Sequence, residues 1–354
     1  MRNFIFVCLI FSVFSPVLAS VPHNRCGSEG PHPFMDLSGS VKSVPKVVAT
    51  KSAVQEFLHS NYYQGFVYRD TRSRLWAQNG PTVDGDLYLG RLSHPLSSVT
   101  DDSGRFVTTD DSNWFLNLGT GSFWTKIFAR DQDRQPLFWQ GRFQYSVHRE
   151  ETATGPNFRF YRYFAGLPVA NPVCNITTTH QGYYLGEGHT YPNVIMYETR
   201  STATGRMLAV QSVNLLTCQV SVVVSYGADL PGEVRQVSYF DALKSYAIEV
   251  DHPVKNLLWD TPQGCRYYNV GGGRAVFPDF DYPYLTIWTP ANGVYLMQLN
   301  ARQSLQLLKG GETGPFERSH TWFDPKSKQL YLAPELDGNG GRAILEFSLG
   351  KFLP

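Results

Sequence analysis

Carboxylates set two residues apart are the most suggestive chemistry in this chain of 354 residues. Asp84 with Asp86, Asp131 with Asp133, and Asp279 with Asp281 have a spacing that brings both side chains to one side of a tight loop. Asp337-Gly338-Asn339-Gly340 has the composition of a fragment of a calcium loop. Hard oxygen ligands so spaced hold Ca²⁺, but a full loop runs about twelve residues to a terminal Glu, and none of these stretches does. Loop turns are therefore the leading reading, with Asp279 and Asp281 as the candidate metal pair and Ca²⁺ as the ion they would take. Paired carboxylates also serve glycoside hydrolysis, provided a fold holds them at the right separation.

Other reactive patterns are missing. There is no Gly-x-Ser-x-Gly elbow, no His-Glu-x-x-His pair and no Gly-Lys-Ser/Thr phosphate loop. Gly271-Gly272-Gly273 follows the strand-like YYNV without the later glycine, the acidic residue or the helix of a dinucleotide site, which predicts a bulge or wide turn. His180 and His189 lie nine residues apart, a spacing with no ligand geometry on one strand or helix, so hydrogen-bonded side chains are expected there. The expectation is a non-enzymatic protein without a resident cofactor.

Covalent features point to an oxidising compartment. Met1 to Ala19 has one early Arg2, an apolar run from Phe4 to Leu18 and small residues at Val17 and Ala19, the pattern of a secretory signal peptide. Cys8 would leave with it, and Cys26, Cys174, Cys218 and Cys265 would remain for two disulfides, with three possible connectivities. No pair has the Cys-x-x-Cys spacing of a zinc site. Asn175-Ile176-Thr177 is an N-glycosylation sequon directly after Cys174. The product is expected to be secreted and extracellular, with no membrane span. The 31 basic and 30 acidic residues become balanced once Arg2 is removed, which argues against a nucleic-acid partner.

The elements that must position these residues are hairpins. His320 to Pro334, HTWFDPKSKQLYLAP, reads as strand, Asp-Pro turn and returning strand. The same cadence recurs at Phe66 to Gln78, Phe106 to Leu118, Phe143 to Phe164, Val194 to Gln211, Val237 to Val250 and Leu285 to Leu299. Turn centres fall roughly 35 to 50 residues apart, the period of a propeller blade. With 23 Phe, 20 Tyr and 7 Trp, the composition suits β-sheet packing. Lys51 to Ser60 is the exception, because Val54, Phe57 and Leu58 fall at helical spacing and predict a short helix. The expected organisation is a signal peptide over 1–19, an irregular arm with that helix over 20–60, and one all-β domain over 61–354.

The segments FDPKSKQLYLAP and VSYFDALKSYAIEV resemble blades of secreted β-propellers, although WD, kelch and YWTD signatures are absent. That resemblance implies six or seven blades of antiparallel hairpins around a channel, with loops that bind an extracellular protein or glycan. VSYFDALKSYAIEV followed by LLWDTPQGCRYYNVGG is also similar to ependymin-like and LolA-like secreted β-proteins. This alternative implies a curved antiparallel sheet or half-barrel carrying a hydrophobic ligand such as a lipid.

Overall fold

A computed structural model describes residues 41–350 apart from several stretches, the longest of which are 79–85, 127–133, 310–320 and 335–342. The expected signal peptide, Cys26, Asp84, Asp131, Asp133 and the Asp337 to Gly340 stretch lie outside the described residues. Seven separate sheets form, each built on four antiparallel strands, and together they make a β-propeller. The half-barrel alternative is thereby overturned, since the strands of the described residues fall into separate sheets and not one continuous curved one.

Blade 1 contains β3 (Val54–Ser60), β4 (Gly65–Asp70), β5 (Arg74–Ala77) and β6 (Leu87–Arg91). Blade 2 contains β7 (Leu96–Thr100), β8 (Phe106–Thr109), β9 (Trp114–Asn117) and β10 (Phe123–Lys126). Blade 3 has β11 (Gln135–Gln140), β12 (Phe143–Glu150), β13 (Asn157–Phe164) and β14 (Ala170–Thr177). Blade 4 has β15 (Tyr183–Leu185), β16 (Asn193–Ser201), β17 (Arg206–Asn214) and β18 (Gln219–Leu230). Blade 5 is β19 (Glu233–Phe240), β20 (Ser245–Asp251), β21 (Lys255–Thr261) and β22 (Gly264–Gly271). Blade 6 is β23 (Arg274–Val276), β24 (Tyr284–Thr289), β25 (Gly293–Gln298) and β26 (Gln303–Lys309), with β1 (Val41–Lys42) added in parallel beside β26. Blade 7 takes β27 (Thr321–Asp324), β28 (Gln329–Leu332) and β29 (Ile344–Ser348) from the end of the chain, and its outer strand β2 (Lys46–Ala49) from the beginning.

The core lies between blades, in apolar layers that neighbouring blades share. In β25 the whole run GVYLMQ is buried, which no one-sided sheet would allow. Blades 6 and 7 share Val294, Leu296, Leu330 and Phe347, blades 5 and 6 share Phe240, Trp259 and Leu285, and blades 4 and 5 share Tyr226, Val237 and Ile248. The ring closes where Phe57 and Tyr68 of blade 1 meet Tyr331 and Ile344 of blade 7.

Over Val54–Ser60 the helix predicted at Lys51 to Ser60 is corrected to strand β3, and residues 51–53 lie outside the described ones. A register shift between Val54 and Glu56 marks a bulge. The extra residue puts Val54 and Phe57 on the face toward blade 7, while Leu58 turns to the opposite face, toward blade 2. Helical spacing at positions 54 and 57 was thus the signature of a bulged strand. The expected arm over 20–60 likewise gives up β1, β2 and β3 to the ring.

Two devices recur around the ring. Several hairpins turn on a polar side chain that caps the backbone just beyond it, followed by a residue in the left-handed region. Asp70 Oδ1 accepts from the amides of Arg72 and Arg74 at 2.9 Å each, with Ser73 at φ 59°. Asp324 Oδ1 accepts from Lys326 N at 2.9 Å, with Lys328 at φ 54°, and Asn214 Oδ1 from Leu216 N at 2.9 Å, with Cys218 at φ 54°. The second device is a bulge in the outer strand, where the register passes over one aliphatic residue. That residue is Leu89 in blade 1, Val173 in blade 3, Val223 in blade 4, Val270 in blade 5, Leu307 in blade 6 and Val48 in blade 7. The bulge expected beside the triple glycine is the one at Val270.

Candidate functional site

The inner strands run in one direction, as the parallel bridge between Glu187 and Ser238 shows for blades 4 and 5. Their starts therefore define a front face and their ends a back face. On the front, blades 3, 4 and 5 leave a cleft of about 700 Å³. Arg134 and Gln135 stand at the start of β11, Arg149 at the end of β12, Tyr184 on β15, Tyr197 on β16, and Arg235 with Gln236 near the start of β19.

These side chains are layered. The Arg149 guanidinium lies 5.3 Å from the Tyr184 ring centre and 5.7 Å from that of Phe158. Tyr184 stacks on Tyr197 with centroids 5.3 Å apart and planes 25° from parallel. Tyr197 donates its hydroxyl proton to the carbonyl oxygen of Arg235 at 3.1 Å, and burial drives its pKa well above the ordinary tyrosine value. It is a fixed donor, not an acid. Arg134 lies 4.3 Å from the Tyr161 ring centre, and burial lowers its pKa. Arg149 pairs with Glu151 at 2.7 Å, and Arg235 pairs with Asp251 at 2.6 Å, both on side chains in contact with solvent. The outermost ring of the stack, Tyr184, is 36% exposed.

The back face has a smaller pocket of about 400 Å³, which brings Asp279 and Asp281 near Glu187, His189 and Asp241. Asp279 Oδ1 accepts from the backbone amide of Asp281 at 2.7 Å, a tight turn between β23 and β24. Asp241 is held by Lys244 at 2.6 Å, whose hydrogen bond does most to keep its carboxyl below the usual range. Among the described residues, no group of three or more His, Cys, Asp and Glu side chains gathers to hold a metal ion.

The remaining expected residues are placed as follows. Cys174, on outer strand β14 of blade 3, is bonded to Cys218, at the β17–β18 turn of blade 4, with Cα atoms 5.5 Å apart. Cys265 is disulfide-bonded as well. Asn175 is exposed on β14. His180 bonds Glu198 through Nε2 at 2.5 Å and accepts from Gly182 N through Nδ1 at 3.1 Å, while His189 Nδ1 accepts from Ile195 N at 3.2 Å. The histidines thus serve two unrelated structural hydrogen-bond sets.

No residue of the front cleft stood out in the sequence. They are spread from 134 to 236, and only the circular arrangement of inner strands brings them together. The available signal was arginine interleaved with aromatics in FQYSVHRE and NFRFYRYF of blade 3.

No helix among the described residues is long and apolar enough to cross a membrane. No known protein-family profile matches the chain, and no curated protein does. Among solved structures, the chain is similar to Sqt1 of Saccharomyces cerevisiae with a TM-score of 0.45 and 11% identity, over 87% of this chain and 98% of that one.

Proposed function

We propose that this protein is a secreted, glycosylated, non-enzymatic binding protein whose front cleft takes a partner protein segment that carries carboxylates beside an aromatic ring. The observation that carries the reading is the Arg149–Tyr184–Tyr197 stack, flanked by Arg134 and Arg235. Tyr and Arg are the residues on which interface energy concentrates, since a rigid ring supplies contact area and a guanidinium grips a carboxylate with two bonds. A propeller suits such a role as a rigid scaffold for protein interaction. Secretion is supported by the signal-like leader, the exposed sequon and the disulfide. The lipid-carrier reading loses the half-barrel that implied it, and arginines line the cleft.

Selection of a random displayed peptide library on the full chain tests this reading. Recovered sequences should pair Asp or Glu with Phe, Tyr or Trp, and Arg149→Ala or Tyr184→Ala should weaken them on the order of tenfold, about 1.4 kcal/mol. Peptides that bind the Arg149→Ala/Tyr184→Ala double variant as well as the parent would remove the cleft from the function. Binding on a glycan array with no peptide selected would replace the protein partner by a sugar.

A further inference from the structure

The three arginines of the front cleft are not equivalent. Arg134 is 7% exposed, with its guanidinium 4.3 Å from the ring centre of Tyr161, so its charge is held back from the cleft surface. Arg235 is engaged by two carboxylates, Asp251 at 2.6 Å through Nε and Glu233 at 3.3 Å through Nη2. Arg149 is different. Its guanidinium lies over two rings, Phe158 of its own blade and Tyr184 of the next. Among the described residues it has one ion pair, made through Nε to Glu151, whose side chain is 58% exposed.

A guanidinium that stacks through its face keeps its N–H donors in its plane, directed sideways out of the stack. With Nε taken by Glu151, the terminal nitrogens of Arg149 form an open fork. Tyr184 stands beside that fork, its ring centre 5.3 Å from the guanidinium carbon. The cleft therefore offers an anion grip and a half-exposed aromatic surface within the reach of one side chain.

From this geometry we infer that the front cleft reads a tyrosine O-sulfate at the centre of the acidic partner segment. The inference rests on the partner-binding reading above and adds a modified residue to it. A tyrosine ester joins ring and anion covalently, whereas two separate residues meet the same demand poorly. Neighbours in an extended segment point to opposite sides, and residues two apart stand about 6.6 Å from each other, with two side chains to order in place of one. The oxygens argue the same way. A carboxylate arriving at Arg149 replaces Glu151 like for like, but a sulfate brings three terminal oxygens, two for the fork and a third for the side-chain amide of Gln135 in the same cleft. A phosphate ester offers the same acceptors. The proposed secretion of the chain selects the sulfate, since proteins acquire tyrosine sulfate in the secretory pathway. A sulfated polysaccharide needs a row of open cations, and here a recess holds one open fork on a chain of 31 basic and 30 acidic residues.

Pools of degenerate peptides, alike except for a central Tyr, Glu, sulfotyrosine or phosphotyrosine, provide the test on the immobilised full-length protein and its Arg149→Ala and Arg149→Lys variants. The sulfotyrosine pool should be retained roughly tenfold more strongly than the Tyr and Glu pools, and Arg149→Ala should abolish the preference. Arg149→Lys keeps the charge without the fork and should restore only a minor part of it. Arg149 is partly exposed, and unchanged circular dichroism and melting temperature identify both variants as folded. Equal retention of the pools overturns the inference, as does a preference that persists in Arg149→Ala or returns in full with Arg149→Lys. Retention of the phosphotyrosine pool above the sulfotyrosine pool overturns the sulfate and assigns a phosphate ester. A heparin oligosaccharide that displaces the sulfotyrosine pool at equal sulfate concentration overturns the peptide in favour of a polysaccharide. If unmodified acidic and aromatic peptides depend on Arg149 while sulfation adds nothing, this inference fails and the partner-binding reading stands. If no pool depends on Arg149, both fail.

Discussion

His59 of the first blade lies flat against Trp322 of the last, with ring centroids 4.1 Å apart and planes within 5° of parallel. The pair bridges the seam where the two ends of the chain meet, beside Phe66 and Tyr331. Burial lowers the pKa of His59 below its usual 6.5, against an opposing pull from the Asp324 carboxylate. A group with a depressed folded pKa contributes stability that is fully present above the unfolded value and is lost as pH falls through the folded one. The melting temperature should therefore hold above pH 6.5 and decline below it. His59→Phe keeps a ring on Trp322 and removes the titration, so its acid decline should be shallower. Identical profiles for parent and variant would show that the seam does not sense pH.

The pairing of Glu56 with Arg69 ties blade 1 to blade 2. Arg69 Nε donates to Glu56 Oε2 at 2.7 Å, Nη2 donates to Oε1, and Oε2 also accepts from Leu96 N at 3.3 Å on the next blade. Both side chains are largely buried, at 9% and 12% exposure. Removing the carboxylate strands a guanidinium away from water, so Glu56→Ala should cost about 3 kcal/mol in urea unfolding. A loss below roughly 1 kcal/mol would place this pair with ordinary surface salt bridges.

Gly188 is irreplaceable for a geometric reason. It sits at φ 74°, and a Cβ there would fall 1.8 Å from the carbonyl oxygen of Tyr239. On either side, Glu187 N donates to Val237 O at 2.8 Å and Tyr239 N donates to Glu187 O at 3.0 Å, joining blades 4 and 5 directly. Gly188→Ala should lower stability by about 3 kcal/mol, through left-handed strain and the forced retreat of this backbone. The amides of Glu187 and Tyr239 should then exchange faster with deuterium, and a variant as stable as the parent would refute the close approach.

Asn175 should carry a glycan, and the chain should begin near Ser20. Its side chain is exposed on β14, one residue beyond the disulfide-bonded Cys174. Intact mass after expression in a secreting eukaryotic host should exceed the mature polypeptide by one glycan and fall by that amount in Asn175→Gln. A retained leader would sink the secretory reading, and an unmodified parent would sink the glycan.

The fold was legible because blades repeat their hairpins. Five of the seven segments, from Phe66 to Gln78 through Leu285 to Leu299, are the second and third strands of a blade. Val237 to Val250 and His320 to Pro334 are instead first and second strands, which made the apparent period uneven. Alternation of side chains reveals a strand but not its place in a blade, because first, second and third strands alike bury residues against neighbouring blades. The bulge in β3 imitated a helix at Val54 and Phe57 for the same local reason. The cleft was illegible for a different one. Arg149, Tyr184 and Arg235 come from three blades, and their convergence is a property of the ring, not of any segment. Asp279 and Asp281 stood out by spacing, yet that spacing is also what a capped turn requires.

Blade 7 borrows β2 from the start of the chain, where Val47 pairs with Leu345. A contact that spans on the order of 300 residues costs about 5 kcal/mol of loop-closure entropy before it contributes anything. During synthesis the chain can stack blades 1 to 6 in order, as an arc with an open side at each end, while β2 waits without a partner. Only arrival of β29 converts the arc into a ring, so sealing comes late and high contact order makes it slow. A chain that stops short of Thr321, before blade 7, would leave two apolar blade faces in water, those of blades 1 and 6, which are each other's ready-made partners between copies.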